Sequence, residues 1–523
     1  MRSFLTSILL PTLAVSLAAT ACTSSVLGAD RSSNQLVVAL AEAPDALDPT
    51  TSSTFVSRIV YANMCEKLYD VDANLNIVPQ LAAALPRISP DGLTYTIQLR
   101  QGIRFNDGTP LNAAAVKTTL HRYVTFAESN RAAELGPLTS VEVVDPMTVR
   151  LHLSKPFAPF TSILADRSGM ILSPAQLRKL GDNFARHPVC VGPFSFAARP
   201  SADEIDLVRS KYYYDRDKVH LDGLQFQVVV DSNIRVADMR AGDVDVVDRV
   251  APQDVVAVKD DPDTTEVSRT SLGYQGIDLN VGNAHGALKD SGSVDNPFSQ
   301  HPELRQAFEL SLDRSVINKI IFEGQYVPDC SPIPTNSPWT TGTACSGRDV
   351  AKAKALVAHS GVKTPIKVPL MVQAAALPEQ LGTIIQSMAK DAGFDVQVQP
   401  TEFTTALKRA QGGKFTMFQI GWSGRLDPDQ NIFSFYAPHS GLNYTGSDDP
   451  AIVNLLNNAR TSTDEQQRKS LYRTLVDRLN QERSIIYLYH PSLVLGLRKS
   501  VSGVQFYGDG LIRLKTAQID SGA

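Results

Sequence analysis

Residues 415–444 read FTMFQIGWSGRLDPDQNIFSFYAPHSGLNY. The stretch opens with apolar residues in the pattern of a buried strand, Phe415, Met417, Phe418 and Ile420. It breaks at Gly421-Trp422-Ser423-Gly424-Arg425 and turns through Asp427-Pro428-Asp429. Two glycines permit close backbone approach or positive φ, and between them stands one of only two tryptophans in the chain. A strand end carrying a large aromatic, a fixed cation and free backbone groups is suited to holding a ligand. The competing reading is a core tryptophan beside a proline turn, with Arg425 paired to Asp427 or Asp429.

The same α/β alternation extends outward. On the C-terminal side, Ser462-x-x-Glu465 has the form of a capping box for a helix buried through Leu471, Tyr472, Leu475 and Leu479. Ile485 to Tyr489 is then a strand. On the N-terminal side, Leu381, Ile384, Ile385 and Met388 recur at helical spacing and precede a strand at 395–399. Further back, Leu36 to Leu40 is a buried strand, 53–69 a helix, and Leu93-Tyr95-Ile97-Leu99 a half-exposed strand. Asp107-Gly108 marks a turn, and Asn112 is placed to cap the helix that follows. Tyr212-Tyr213-Tyr214 reads as packing or as an aromatic wall, and Asp313-Arg314 as a helical ion pair or partner contact. A strand at 273–280 runs into a polar stretch, NVGNAHGALKDSGSVDN, taken as a crossing between two lobes.

With 523 residues the chain exceeds one hydrophobic core, so at least two substructures are expected. Its 43% hydrophobic and 20% charged content is that of a globular protein. A net charge of −4 without a basic stripe argues against nucleic acid as partner. Residues 1–21 have the charged, apolar and small-residue regions of an export signal. Cys22 follows Ala19-Thr20-Ala21, which resembles a bacterial lipobox, although Ala19 stands where a leucine is usual. Ala19-Thr20-Ala21 also satisfies an ordinary secretory site. Lipidation of Cys22 anchors the protein to the membrane in the first case; in both, the protein is exported, to the periplasm or the outer face of the cytoplasmic membrane.

Four further cysteines suit disulfides in an exported chain. Cys330 and Cys345 bracket a Pro/Ser/Thr/Gly-rich loop, leaving Cys65 for Cys190. No C-x-x-C and no H-x-x-x-H is present, so no metal or other cofactor is expected. Gly421-x-Ser423 begins like a nucleophile elbow, but Arg425 occupies the fifth position and Pro428 lies where a helix should run. A secreted hydrolase is therefore the weakest of the functional readings, and no catalytic residue is assigned.

The run EKLYDVDANLNIVPQLAAALPRISPDGLTYTIQLRQGIRFNDGTPLNAAAVKTTLHR resembles the signature region of the peptide-type solute-binding proteins of ABC importers. This is the family of the dipeptide-, oligopeptide-, nickel- and glutathione-binding proteins. PVCVGPFSF (188–196), LRQAFELSLDRSVINKIIFEGQYVP (304–328), GFDVQVQPTEF (393–403) and DEQQRKSLYRTLVDRLNQERSIIYLYH (464–490) continue the resemblance in family order. It implies a two-lobe α/β periplasmic-binding-protein fold with a hinge, an enlarged first lobe and a ligand cleft between the lobes. The expected division is linker 22–35, lobe I 36–283 with a subdomain near 72–195, lobe II 284–484, and a return to lobe I over 485–523.

The implied function is delivery of a small peptide to permease subunits by a monomeric binding protein. An anionic or modified cargo, such as glutathione or an opine, is the alternative. Peptide-binding relatives tend to place an aspartate for the peptide ammonium where this chain has Arg425. The expected ligand-facing set is Trp422, Ser423, Gly424, Arg425, Asp427, Asn443 and Tyr444, with Asn443-Tyr444 open between site and loop architecture. An arginine there repels an ammonium and suits an anion, unless Asp427 swings in to take the ammonium over.

Overall fold

The computed structural model describes residues 34–520. The export signal, Cys22 and most of the proposed linker lie outside the described residues. Among the described residues no helix is long and apolar enough to cross a membrane.

Two sheets carry the two lobes. The seven-stranded sheet runs in the order 264–270, 492–498, 246–247, 35–40, 223–228, 204–209 and 194–201. Its strand Gln35–Leu40 lies parallel to both of its neighbours. The six-stranded sheet runs 327–328, 485–490, 274–279, 417–422, 366–373 and 394–401. There Ile366–Gln373 is parallel to both of its neighbours, whereas Tyr274–Leu279 is antiparallel to both of its own. Helices on both faces bury the apolar periodicities seen in the sequence. Ala376–Lys390 lays Leu381 and Ile385 against Val368, Leu370 and Val396. Glu465–Glu482 covers the other face through Tyr472, Leu475 and Leu479.

A separate antiparallel sheet of 87–88, 94–98, 148–153 and 138–145 enlarges the first lobe within residues 72–195. Asn112 caps Ala113–Thr125 by accepting from the Ala115 amide at 3.0 Å. The helix at 465 is capped differently from its sequence pattern: Asp464, not Ser462, accepts from the Gln467 amide at 2.7 Å. Ser462 instead ends the preceding helix, Pro450–Thr461.

The pairing of strands moves the expected lobe boundaries. Tyr274–Leu279 pairs with Met417–Trp422 and Ile485–His490, so both it and 485–490 belong to the second sheet. The chain crosses between the sheets at 271–273 and at 491, between strands 264–270 and 274–279 and between 485–490 and 492–498. The polar stretch after 280 is a loop within the second lobe. It is polar because its side chains replace a missing ladder. Asn280 Nδ2 donates to the carbonyls of Asn283 and Gly413, and Asn283 Nδ2 to those of Ala410 and Tyr444. The crossings are tied to each other: the Ser271 amide donates to the Pro491 carbonyl at 2.9 Å, and His490 Nδ1 lies 2.6 Å from the Gly273 carbonyl.

Both disulfides have the expected pairing, Cys330–Cys345 from its place around the loop and Cys65–Cys190 as the remaining pair. Cys65–Cys190 links the end of helix Phe55–Met64 to the segment before strand 194–201, and Cys330–Cys345 closes the proline-rich loop. Asp329 lies close to Cys330 and Cys345, but their sulfurs are committed to the disulfide and are not free thiolate ligands.

Asp278 is enclosed in the second sheet near Tyr274, Tyr444 and Tyr487. Burial pushes its carboxyl up to about 8 from an ordinary 3.8. Between those values the folded chain holds a proton that the unfolded chain has released. The stability that Asp278 contributes is therefore fully present below about pH 4, falls as pH rises and is lost above about pH 8. Replacing Asp278→Asn should flatten that decline and raise stability at pH 8 by about 1–3 kcal/mol. Denaturant unfolding measured from pH 4 to 8 checks this.

Candidate functional site

Strand Met417–Trp422 ends beside the hinge, and the loop after it lies directly on the first crossing. Gly273 and Gly424 make this approach possible. A Cβ on Gly273 would meet the Trp422 carbonyl oxygen at 2.1 Å, and one on Gly424, at φ 78°, would meet the Leu272 backbone at 2.2 Å. Leu426, three residues further from the strand than Ser423, packs against Val71, Leu75 and Leu272, so the loop reaches the first lobe.

Buried polar groups fix the loop's shape. Asn431 Oδ1 accepts from Trp422 Nε1 at 3.1 Å and from the Arg425 amide at 2.7 Å, and its Nδ2 donates to the Arg425 carbonyl at 2.8 Å. Asp427 is forked by Arg468 at 2.9 and 3.0 Å, and Asp429 by Arg460 at 2.8 and 2.9 Å. Both carboxylates are buried. Arg468 also donates to the Ala459 carbonyl and lies 4.7 Å from the Trp339 ring centroid.

These pairs release Arg425 from the partners that its sequence neighbours offered. Its guanidinium lies 4.8 Å from the Trp422 ring centroid and donates to Ser423 Oγ at 3.1 Å and the Gly424 carbonyl at 2.7 Å. Its Nε is 3.9 Å from Asp166 Oδ2 of the first lobe. Asp166 is shared with Arg58, whose Nε is 3.0 Å from Oδ1. Burial, reinforced by the like charge of Arg58, lowers the Arg425 pKa to about 10, so it remains a cation at neutral pH. Asp166 is held well below the carboxylate range, against its burial, by Arg58, Arg167 and Arg425.

A cavity of about 190 Å³ lies at this junction, lined from the first lobe by Glu134, Phe157 and Ile163 and from the second by Trp422, Arg425 and Gln430. The lobes touch beside it, where the Ala158 amide donates to the Arg460 carbonyl at 2.8 Å.

Trp422, Ser423, Gly424 and Arg425 are thus brought together between the lobes. Asp427 is not with them: its carboxylate is committed to Arg468 inside the second lobe and is not free to receive an ammonium. Asn443 and Tyr444 are also elsewhere. Asn443 Nδ2 donates to the Ala437 and Ser447 carbonyls and its Oδ1 accepts from Thr445, shaping a buried loop. Tyr444 packs with Met371, Ala406, Ala410 and Phe418. Sequence reasoning missed Asn431, although it lies inside the opening stretch, and the first-lobe groups Arg58, Glu134 and Asp166. Tyr213 and Tyr214 form no cleft wall; both hydroxyls donate to Glu66.

Two α/β lobes joined by paired crossings, with a polar and aromatic loop held in the gap, define a hinged binding protein. Residues 76–443 match the model of the bacterial extracellular solute-binding proteins, family 5. The chain belongs to that family. It is 26% identical over 497 residues to the glutathione-binding protein GsiB of Pectobacterium atrosepticum, covering 92% of this chain and 94% of the relative. Its fold is similar to that of the ABC transporter substrate-binding protein CtaP of Listeria monocytogenes, with TM-score 0.84 and 21% identity, over 93% of this chain and 99% of that one. It is also similar to AgaA of A. tumefaciens R10, solved with agropinic acid, with TM-score 0.73 and 27% identity, over 94% and 99% of the two chains.

Arg468→Ala would leave Asp427 buried without its partner and remove the cation from beside Trp339. A loss of about 3–5 kcal/mol is expected for breaking such a pair, together with weaker solute binding because the freed Asp427 can then compete for Arg425. Urea unfolding and calorimetry on the same preparation measure both.

Proposed function

We propose that this solute-binding protein captures a small peptide outside the cytoplasm and delivers it to the permease subunits of an ABC transporter. The observation that carries this reading is the Trp422–Arg425 loop, held at the hinge and facing the first lobe across a cavity. A solute between the lobes contacts both and stabilises the closed arrangement by the difference between its affinities for the closed and open forms. A peptide suits such a cleft because its main chain offers donors and acceptors at regular spacing. Uptake energy belongs to the transporter, so the binding protein performs no covalent step, and a monomer suffices.

A carboxylated cargo other than a plain peptide is the second reading. Arg425 favours it, and the glutathione-binding and agropinic-acid-bound relatives give it precedent. The export signal and the Cys22 lipobox-like site support attachment to the membrane surface through a lipid.

Three experiments test these statements. Mass spectrometry of protein purified without denaturation should find a retained small solute, and incubation with peptides should give heat-stabilisation without cleavage products. Cleaved peptide would instead support a hydrolase. Cys22→Ala should move the protein from the membrane to the soluble exported fraction; wild type already soluble without detergent and carrying no lipid would contradict the anchor.

A further inference from the structure

Strand Met417–Trp422 ends between two cavities. Trp422 lines the inter-lobe one, and its neighbour Gly421 lines another, of about 270 Å³, on the second lobe. Gly421 stands directly opposite Gln275 of the antiparallel strand Tyr274–Leu279. A Cβ on Gly421 would meet Gln275 Cδ at 2.4 Å and Nε2 at 2.5 Å, so the Gln275 carboxamide occupies the space that the glycine leaves. Gln419, two residues back and so on the same face, donates from Nε2 to Gln275 Oε1 at 3.0 Å. Among the described residues the two side chains make no other hydrogen bond. Gln275 Nε2 is left to donate and Gln419 Oε1 to accept, and turning both amides over leaves the same complement of one donor and one acceptor group.

No Asp, Glu, Lys, Arg or His is among the residues that line this cavity. Its polar side chains are the carboxamides of Gln275, Gln373 and Gln419 and the phenols of Tyr326 and Tyr489, whose ring centroids lie 5.4 Å apart. Burial raises both phenols above their ordinary 10, Tyr326 to about 12, so neither ionises at neutral pH. Phe403, 43% exposed at the start of helix Phe403–Gln411, adds an aromatic face. A charged group entering here gives up water without gaining a counter-charge. An apolar group covers the remaining donor and acceptor of the Gln275–Gln419 pair and leaves them unsatisfied. A neutral group that both donates and accepts avoids both costs.

We propose that this cavity selects a neutral side group of the cargo that donates and accepts hydrogen bonds at once, as a carboxamide does, and turns away charged ones. Gln275 and Gln419 are the specificity-determining pair, and Gly421 is the residue that gives Gln275 its position. The volume suits one side group rather than a whole solute, whose remainder extends past Gly421 toward Trp422. This inference rests on the solute-binding reading and adds to it the class of side group that the cargo carries. It does not depend on Arg425, which lines the other cavity.

The test is calorimetry with dipeptides that pair alanine with glutamine, glutamate, lysine or leucine, each in both orders. In at least one order, wild type should bind the glutamine form at least about tenfold more tightly than the glutamate and lysine forms, and about three- to tenfold more tightly than the leucine form. Gln275→Glu keeps the oxygen that accepts from Gln419 Nε2 and places a negative charge in the cavity. In that variant the lysine form should match or overtake the glutamine form, whereas an equal loss for all four forms would reduce Gln275 to a structural role and overturn its assignment. The wild-type comparison stands even if the variant fails to fold. A glutamate, lysine or leucine form that matches the glutamine form in both orders overturns the inference and leaves the peptide reading intact. Binding of none of the dipeptides overturns both.

Discussion

The buried fork between Asp427 and Arg468 is the contact on which the site depends. An aspartate two residues from Arg425 would be its natural partner in an isolated loop. By giving that aspartate to Arg468 on helix Glu465–Glu482, and Asp429 to Arg460, the fold leaves Arg425 with neutral partners in its own loop, Ser423 and the Gly424 carbonyl, and its ion pair with Asp166 across the gap. Asn431 then fixes the backbone of the loop from both sides. The guanidinium is left with one direction, across the gap toward Asp166. Two neutralised pairs inside the lobe thus create an unneutralised charge at its edge.

The hinge uses the same economy of contact. Two crossings of a few residues join the sheets, bonded to each other through Ser271, Pro491, Gly273 and His490. Large cores on either side stay separate: one spans the seven-stranded sheet and its subdomain, and two others flank the six-stranded sheet. Rotation about short crossings leaves those cores intact, so motion is confined to the surfaces that meet in the gap. The Trp422–Arg425 loop lies against the first crossing, with no room for a side chain at Gly273 or Gly424. Whatever occupies the gap is therefore held next to the pivot.

The sequence made the strand before Trp422, the helix through Leu381 and Ile385, and the Cys330–Cys345 pair legible, because each depends on local periodicity or on spacing; Cys65–Cys190 followed only by elimination. The lobe boundary was not. The polar run after Asn280 mimics a linker, yet it is a loop whose asparagines bond backbone carbonyls more than a hundred residues away. The direction of Arg425 was equally hidden. Two carboxylates stand nearby in sequence, and the arginines that claim them lie 41 and 31 residues further along. Asn443 and Tyr444 stand where the family resemblance allows either a ligand-facing pair or loop architecture; loop hydrogen bonds take up Asn443 and packing takes up Tyr444. Arg58 and Arg167 carry no motif, and only folding brings them to one place.

The central claim is that the lobes close on a solute held between Arg425 and the first lobe. Small-angle X-ray scattering on protein stripped of retained solute, before and after adding that solute back, tests it most directly. The account predicts a more open particle when empty and a decrease in radius of gyration on saturation, with the decrease reduced in Arg425→Gln. Identical scattering with and without bound solute would contradict it.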